Sequence, residues 1–72
     1  MSLKQFKRLV YFHKMIHEGQ YPSSRSIREH FHVTARTAYR DIKLLRSQFM
    51  APLEYDHIKH GYYYSKQNWD LF

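Results

Sequence analysis

Arg36, Thr37, Tyr39 and Arg40 place two guanidiniums, a hydroxyl and a phenol within five consecutive positions of a 72-residue chain. Guanidiniums are planar donor forks that suit phosphates and the O6/N7 edge of guanine; they recognise and do not catalyse. The reactive residue types fail to assemble. There is no cysteine, which removes thiolate nucleophiles, thiolate metal sites and any disulfide framework. No carboxylates pair on one face, no glycine-rich phosphate loop exists, and Ser65 has no base nearby in sequence. His13 and His17 stand one helical turn apart, at metal-ligand spacing, but no suitably spaced Cys or carboxylate completes a site. The chemistry on offer is binding, without catalysis, metal or cofactor.

The stretch that must carry those side chains is a helix over residues 34–49. At about 100° per residue, Ala38, Ile42, Leu45 and Phe49 share one face, while Arg36, Arg40, Lys43 and Ser47 share the opposite one. Thr34 is suited to cap it, since its hydroxyl can accept from the first-turn N–H groups. The first two turns then present Ala35, Arg36, Thr37, Tyr39 and Arg40 where the helix dipole is positive. A helix of this design fits the major groove of DNA. A solvated basic face would look the same, so the flanking elements decide.

Residues 4–18 read as a first helix, with Phe6, Leu9, Phe12, His13 and Ile16 at steps of three and four. Gly19 caps it and Gln20–Tyr21–Pro22 turns the chain. Met1–Ser2–Leu3 carries no structural weight. Residues 23–31 form a short second helix, capped by Ser23 or Ser24 and buried through Ile27 and Phe31, leaving Arg25, Arg28, Glu29 and His30 for solvent or phosphates. Only His32–Val33–Thr34 separates it from the basic helix, the spacing of a helix-turn-helix. After Pro52 the period drops to two. Residues 53–65 therefore make a hairpin, with Leu53, Tyr55, Tyr62 and Tyr64 against the helices and Tyr63 pointing away. Gly61 is available for a positive φ in the turn, and His57, Lys59 and His60 stand at its tip, which places residues 57–61 near the phosphate backbone or the minor groove of a bound duplex. The expected fold is mainly α with a small β-hairpin: a winged helix-turn-helix of three helices and a two-stranded wing, in one domain over residues 1–72.

Charge agrees with that layout. Twelve Lys and Arg against six Asp and Glu give a net +6. Residues 1–50 hold ten basic and three acidic side chains, whereas residues 51–72 hold two and three. A polyanion therefore meets the first two thirds of the chain. Six histidines raise the charge further below about pH 6.5. No apolar run approaches the roughly 18 residues of a membrane span, and no signal peptide opens the chain, which leads us to expect a cytoplasmic protein.

The motifs VTARTAYRDI (residues 33–42), PLEYD (residues 52–56) and GYYY (residues 61–64) occur in an order that resembles the N-terminal winged helix of bacterial WYL-type, DeoR-like transcriptional regulators. The resemblance covers more than half of the chain. It implies sequence-specific duplex DNA binding, usually as a homodimer, with Arg36, Thr37, Tyr39 and Arg40 towards the bases. It also implies that Asp41 serves an ion pair fixing the recognition helix. Arg25, Arg28, Thr34, Lys43, Arg46 and Lys59 are the candidate backbone contacts. The chain departs from the family pattern at Arg28, at His32 (in place of a turn Gly or Asn) and at His60 (in place of a wing Gly). Such regulators continue into an effector-sensing domain, so the tail, residues 66–72, reads as a linker or docking strand of a longer regulator, or as the end of a stand-alone winged helix. Leu44, Trp69 and Phe72 fall off the core stripes, and an exposed apolar patch built from them would instead suit a protein–protein or dimerisation module.

Overall fold

The computed structural model describes residues 1–71. Three helices, α1 (Leu3–His17), α2 (Ser24–Phe31) and α3 (Ala35–Ser47), precede an antiparallel hairpin of β1 (Leu53–Asp56) and β2 (Gly61–Tyr64). The fold is mainly α with a winged-helix-like arrangement, as the periodicity predicts.

Local chemistry fixes each boundary. Ser2, given no weight in the sequence, caps α1: its hydroxyl accepts from the Gln5 N–H at 3.1 Å, which starts the helix at Leu3. Ser23 precedes α2, and the Ser26 hydroxyl accepts from the Ser23 N–H at 3.0 Å. The Thr34 hydroxyl accepts from the Thr37 N–H at 3.2 Å and so begins α3. That helix ends at Ser47, so Phe49 lies beyond it and packs only partly against the core.

One core joins the helices and β1: Leu9, Phe12 and Ile16 from α1, Ile27 from α2, Ala38, Ile42 and Leu45 from α3, then Ala51 and Leu53, with Tyr62 and Tyr64 of β2 partly buried against it. Fully burying a side chain such as Leu or Ile contributes roughly 1.5–3 kcal/mol, so this small cluster dominates cohesion. Leu44, Trp69 and Leu71 pack against it, which corrects the expectation of an exposed patch at Leu44 and Trp69. Phe72 lies outside the described residues. Among the described residues no helix is long and apolar enough to cross a membrane.

The wing pairs Leu53 with Tyr64, Glu54 with Tyr63, Tyr55 with Tyr62 and Asp56 with Gly61. Leu53 is buried and Tyr62 and Tyr64 are half-buried, but Tyr55, expected on the core face, is exposed. Its ring stands edge-on to those of Tyr62 and His57, each 5.0 Å away. The expected positive φ at Gly61 is carried by His60 instead, at φ 56°. Gly61 is required for another reason: a Cβ there would overlap the Tyr21 carbonyl. Next to it, the Tyr62 N–H donates to the Pro22 carbonyl at 2.7 Å, stitching the wing to the α1–α2 connection. Non-glycine residues with left-handed backbone occur at Tyr21, His32, Met50 and His60, one in each connection after α1. His32 thus adopts the conformation a turn Gly or Asn would adopt, and the helix-turn-helix corner keeps its shape.

Candidate nucleic-acid interface

Two faces of α3 are set apart by burial. Ala38, Asp41, Ile42 and Leu45 are buried, whereas Arg36, Tyr39, Arg40 and Lys43 are exposed. Helical geometry puts Arg36, Arg40 and Lys43 within a band of about 60°, with Tyr39 on its flank towards the wing. Three of the four expected base-reading side chains therefore stand together in solvent. Thr37 differs: it is half-buried, and its hydroxyl oxygen accepts from the Thr34 hydroxyl at 3.2 Å.

Asp41 explains how this face is aimed. Its side chain is fully buried, yet it bridges two helices. Arg8 Nε donates to its Oδ2 at 2.5 Å, Arg8 Nη2 to Oδ1 at 3.2 Å, and Gln5 Nε2 to the same Oδ1 at 3.2 Å. A bidentate guanidinium–carboxylate pair fixes both distance and rotation, so α1 locks the roll of α3 about its axis. The ion pair implied for Asp41 is present, with Arg8 as its partner.

The expected backbone contacts divide. Arg28 and Lys43 are exposed and make no ion pair among the described residues. Arg25 Nε pairs with Glu29 at 2.9 Å, but both side chains are largely exposed, so the bond is weak and exchangeable. The Thr34 hydroxyl is committed to the helix cap. Arg46 Nη2 donates to the Leu53 carbonyl at 3.3 Å, tying α3 to β1. Lys59 does not reach out from the tip: its ammonium lies 4.9 Å from the centroid of the Tyr21 ring.

Between the start of α2, α3 and the wing lies a cleft of about 240 Å³ lined by Ser23, Ser24, Tyr39, Tyr55 and Tyr62. Every one of these side chains carries a hydroxyl, so the notch beside Tyr39 is a set of neutral hydrogen-bonding groups. The sequence reading missed it, because Ser24 looked only like a cap and Tyr55 only like core. A second groove of about 320 Å³ runs on the other side of α3, between Met1, Gln5, Arg40, Lys43 and Leu44. No protein family, curated protein or solved structure matches this chain. The interface must be judged on its own residues.

Another cleft, of about 400 Å³, lies away from α3 between Ile16, His17, Gly19, Tyr21 and the three tyrosines of β2. Its polar lining is the His17 imidazole and the tyrosine phenols, with Gln67. Nearby, His13 is buried. Its Nδ1 lies 2.9 Å from the Tyr64 hydroxyl and its Nε2 lies 3.1 Å from Asp70. Burial lowers its pKa from the ordinary 6.5, partly offset by attraction to Asp70. Burial likewise raises the Tyr64 phenol, which stays neutral. With Nε2–H donating to the carboxylate and Nδ1 accepting from the phenol, neutral His13 satisfies both neighbours. The His13 and His17 rings lie 5.1 Å apart, and among the described residues there is no group of three or more His, Cys, Asp or Glu side chains placed to hold a metal ion.

Proposed function

We propose that this domain binds double-stranded DNA in a sequence-specific way, as the DNA-reading part of a transcriptional regulator of the WYL-type, DeoR-like kind. The observation that carries the reading is the exposed Arg36–Tyr39–Arg40 face on the first turns of a helix whose opposite side is clamped by the buried Asp41–Arg8 pair. A recognition helix needs both properties: donors free for base edges and a fixed roll that makes their register reproducible. Arg36 and Arg40 make bidentate contacts to guanine, each worth about 1–3 kcal/mol of discrimination. Arg28 and Lys43 neutralise phosphates, joined by Arg25 once its exposed bond to Glu29 is exchanged.

The greatest extent of the domain is 27 Å. One helical turn of B-DNA is about 34 Å, so a single copy covers one half-site, which favours a homodimer on a two-fold operator.

Selection from a random duplex library supplies the cognate site, and titrations against it and a scrambled duplex test the roles. Arg36→Ala should weaken the cognate site far more than the scrambled one. Lys43→Ala should weaken both equally and reduce the slope of log K against log salt by about 0.9. A domain whose binding ignores salt, or whose two variants behave alike on both duplexes, is not a sequence reader of this type.

A further inference from the structure

We propose that the outer edge of β2 is a docking site for one extended peptide strand of a partner protein, which joins the wing as a further strand and turns uncharged side chains towards the cleft beside it. The inference does not depend on the DNA-binding reading, because this edge lies on the side away from α3.

Backbone bonds fix which way the groups of β2 point. The Ser65 N–H donates to the Pro52 carbonyl at 2.8 Å, the Leu53 N–H turns back to the Ala51 carbonyl at 2.8 Å, and the Tyr62 N–H donates to the Pro22 carbonyl at 2.7 Å. In an antiparallel pair, the N–H and C=O of one residue face the partner strand and those of the next face away. Leu53 stands opposite Tyr64 and Tyr55 opposite Tyr62. Tyr63 and Ser65 therefore face β1, whereas Tyr62 and Tyr64 face outwards. The α1–α2 connection takes the Tyr62 N–H. The Tyr62 carbonyl and both backbone groups of Tyr64 receive no such bond among the described residues. They offer an acceptor, a donor and a second acceptor along one line, which is what an incoming strand pairs with. The other edge of the hairpin is closed at Leu53, whose carbonyl accepts from Arg46.

The space beside this edge suits such a strand. It is the cleft of about 400 Å³ bounded by Ile16, His17 and Gly19 at the end of α1, by Tyr21 and by Gln67 of the tail. A Cβ on Gly19 would meet nothing within 4 Å, so the wall is set back there. Exposed strand edges are commonly guarded by proline or by a charged side chain, Lys above all. Pro22 guards the first position, but no Lys, Arg, Asp or Glu lines the cleft. A neutral lining gives a charged residue of the partner nothing to pair with, while Ile16 and the tyrosine rings offer apolar contact. A single strand fits between these walls, whereas a second copy of the hairpin would carry its own walls to the same place.

Peptides selected on the intact domain from a displayed random library supply the probe. In residue-resolved amide hydrogen exchange, the free domain should exchange Tyr64 faster than Tyr63, and a selected peptide should slow Tyr64. Single N-methyl groups walked along that peptide should alternate between no effect and roughly tenfold weaker binding, as one strand edge meeting another requires. Gly19→Phe, which fills the cleft, should weaken the peptide by about tenfold or more, whereas Gly19→Ala should not. Both variants should melt alike in urea, since both meet the same backbone penalty. A library that yields no binder, binders that leave Tyr64 exchange unchanged, or N-methyl effects that do not alternate overturn the proposal. Tyr64 exchange that slows with protein concentration alone, with dimers in sedimentation, assigns the edge to a second copy and overturns it too. None of these outcomes alters the reading of DNA by α3, which the duplex titrations decide separately.

Discussion

Replacing Asp41 by alanine should remove a large part of the stability of this domain. Asp41 is wholly buried and Arg8 nearly so, with side-chain exposures of 0% and 13%. Truncating one member of a buried pair leaves the other charge without compensation, at a cost of about 3–5 kcal/mol. A 72-residue domain has a total stability of roughly 4–11 kcal/mol. With a urea m-value near 1 kcal/mol per molar, the midpoint for Asp41→Ala should fall by about 3 M or more. Glu54→Ala, on an exposed strand position, should shift stability by less than about 0.5 kcal/mol. The double variant Arg8→Met/Asp41→Leu separates charge from shape. Two apolar side chains of similar volume need no desolvation of ions, so stability should return to within about 1 kcal/mol of wild type, or exceed it. The reasoning is refuted if Asp41→Ala costs less than about 1 kcal/mol, or if the double variant melts no later than the single.

Two further measurements probe the wing and the tail. Gly61→Ala should cost about 1–3 kcal/mol, because its Cβ runs into the Tyr21 backbone. Gly19→Ala, in open space at φ 72°, meets only the left-handed penalty of about 1 kcal/mol, so urea midpoints that rank the two the other way contradict the packing described. For His13, burial makes the folded state hold its proton less tightly than the unfolded chain does. The group therefore contributes fully above pH 6.5, and its contribution is lost as pH falls below that value towards the lowered folded pKa. Among the described residues His17, Tyr64, Trp69 and Asp70 face it. Urea midpoints at pH 7.5 and 5.5 should differ more in the wild type than in His13→Gln; equal differences would show that His13 does not couple to folding.

Where local pattern determines structure, the sequence was informative. Steps of three and four placed α1, α2 and α3 to within a residue or two, and the change to period two placed the wing. Long-range partners were less accessible. An ion pair for Asp41 was implied, but nothing near it in sequence identifies Arg8, which lies 33 positions away on another helix. Alternation assigned Tyr55 to the core together with Tyr62, yet a strand near the open side of the hairpin is covered only as far as the helices extend. Lys59 was expected at the tip because its position is there; the length of its side chain lets it return to Tyr21. Glycine also misled in the wing. Its presence suggested a turn conformation, but the constraint at Gly61 is the proximity of Tyr21, and the left-handed position went to His60.

The left-handed residues at Tyr21, His32, Met50 and His60 have a consequence for how this domain can change. An L-residue in that region costs about 1–2 kcal/mol, against roughly 0.5–1 kcal/mol of extra chain entropy lost by a glycine. Every corner after α1 is thus turned by a residue somewhat poorer at turning than glycine. Taken together, four such corners hold back on the order of 2–4 kcal/mol, a sizeable share of what a domain this small possesses. The fold therefore stands below the stability its own backbone permits. Headroom of that kind, located in connections and outside α3, could be drawn on to absorb destabilising changes on α3 while its specificity is altered.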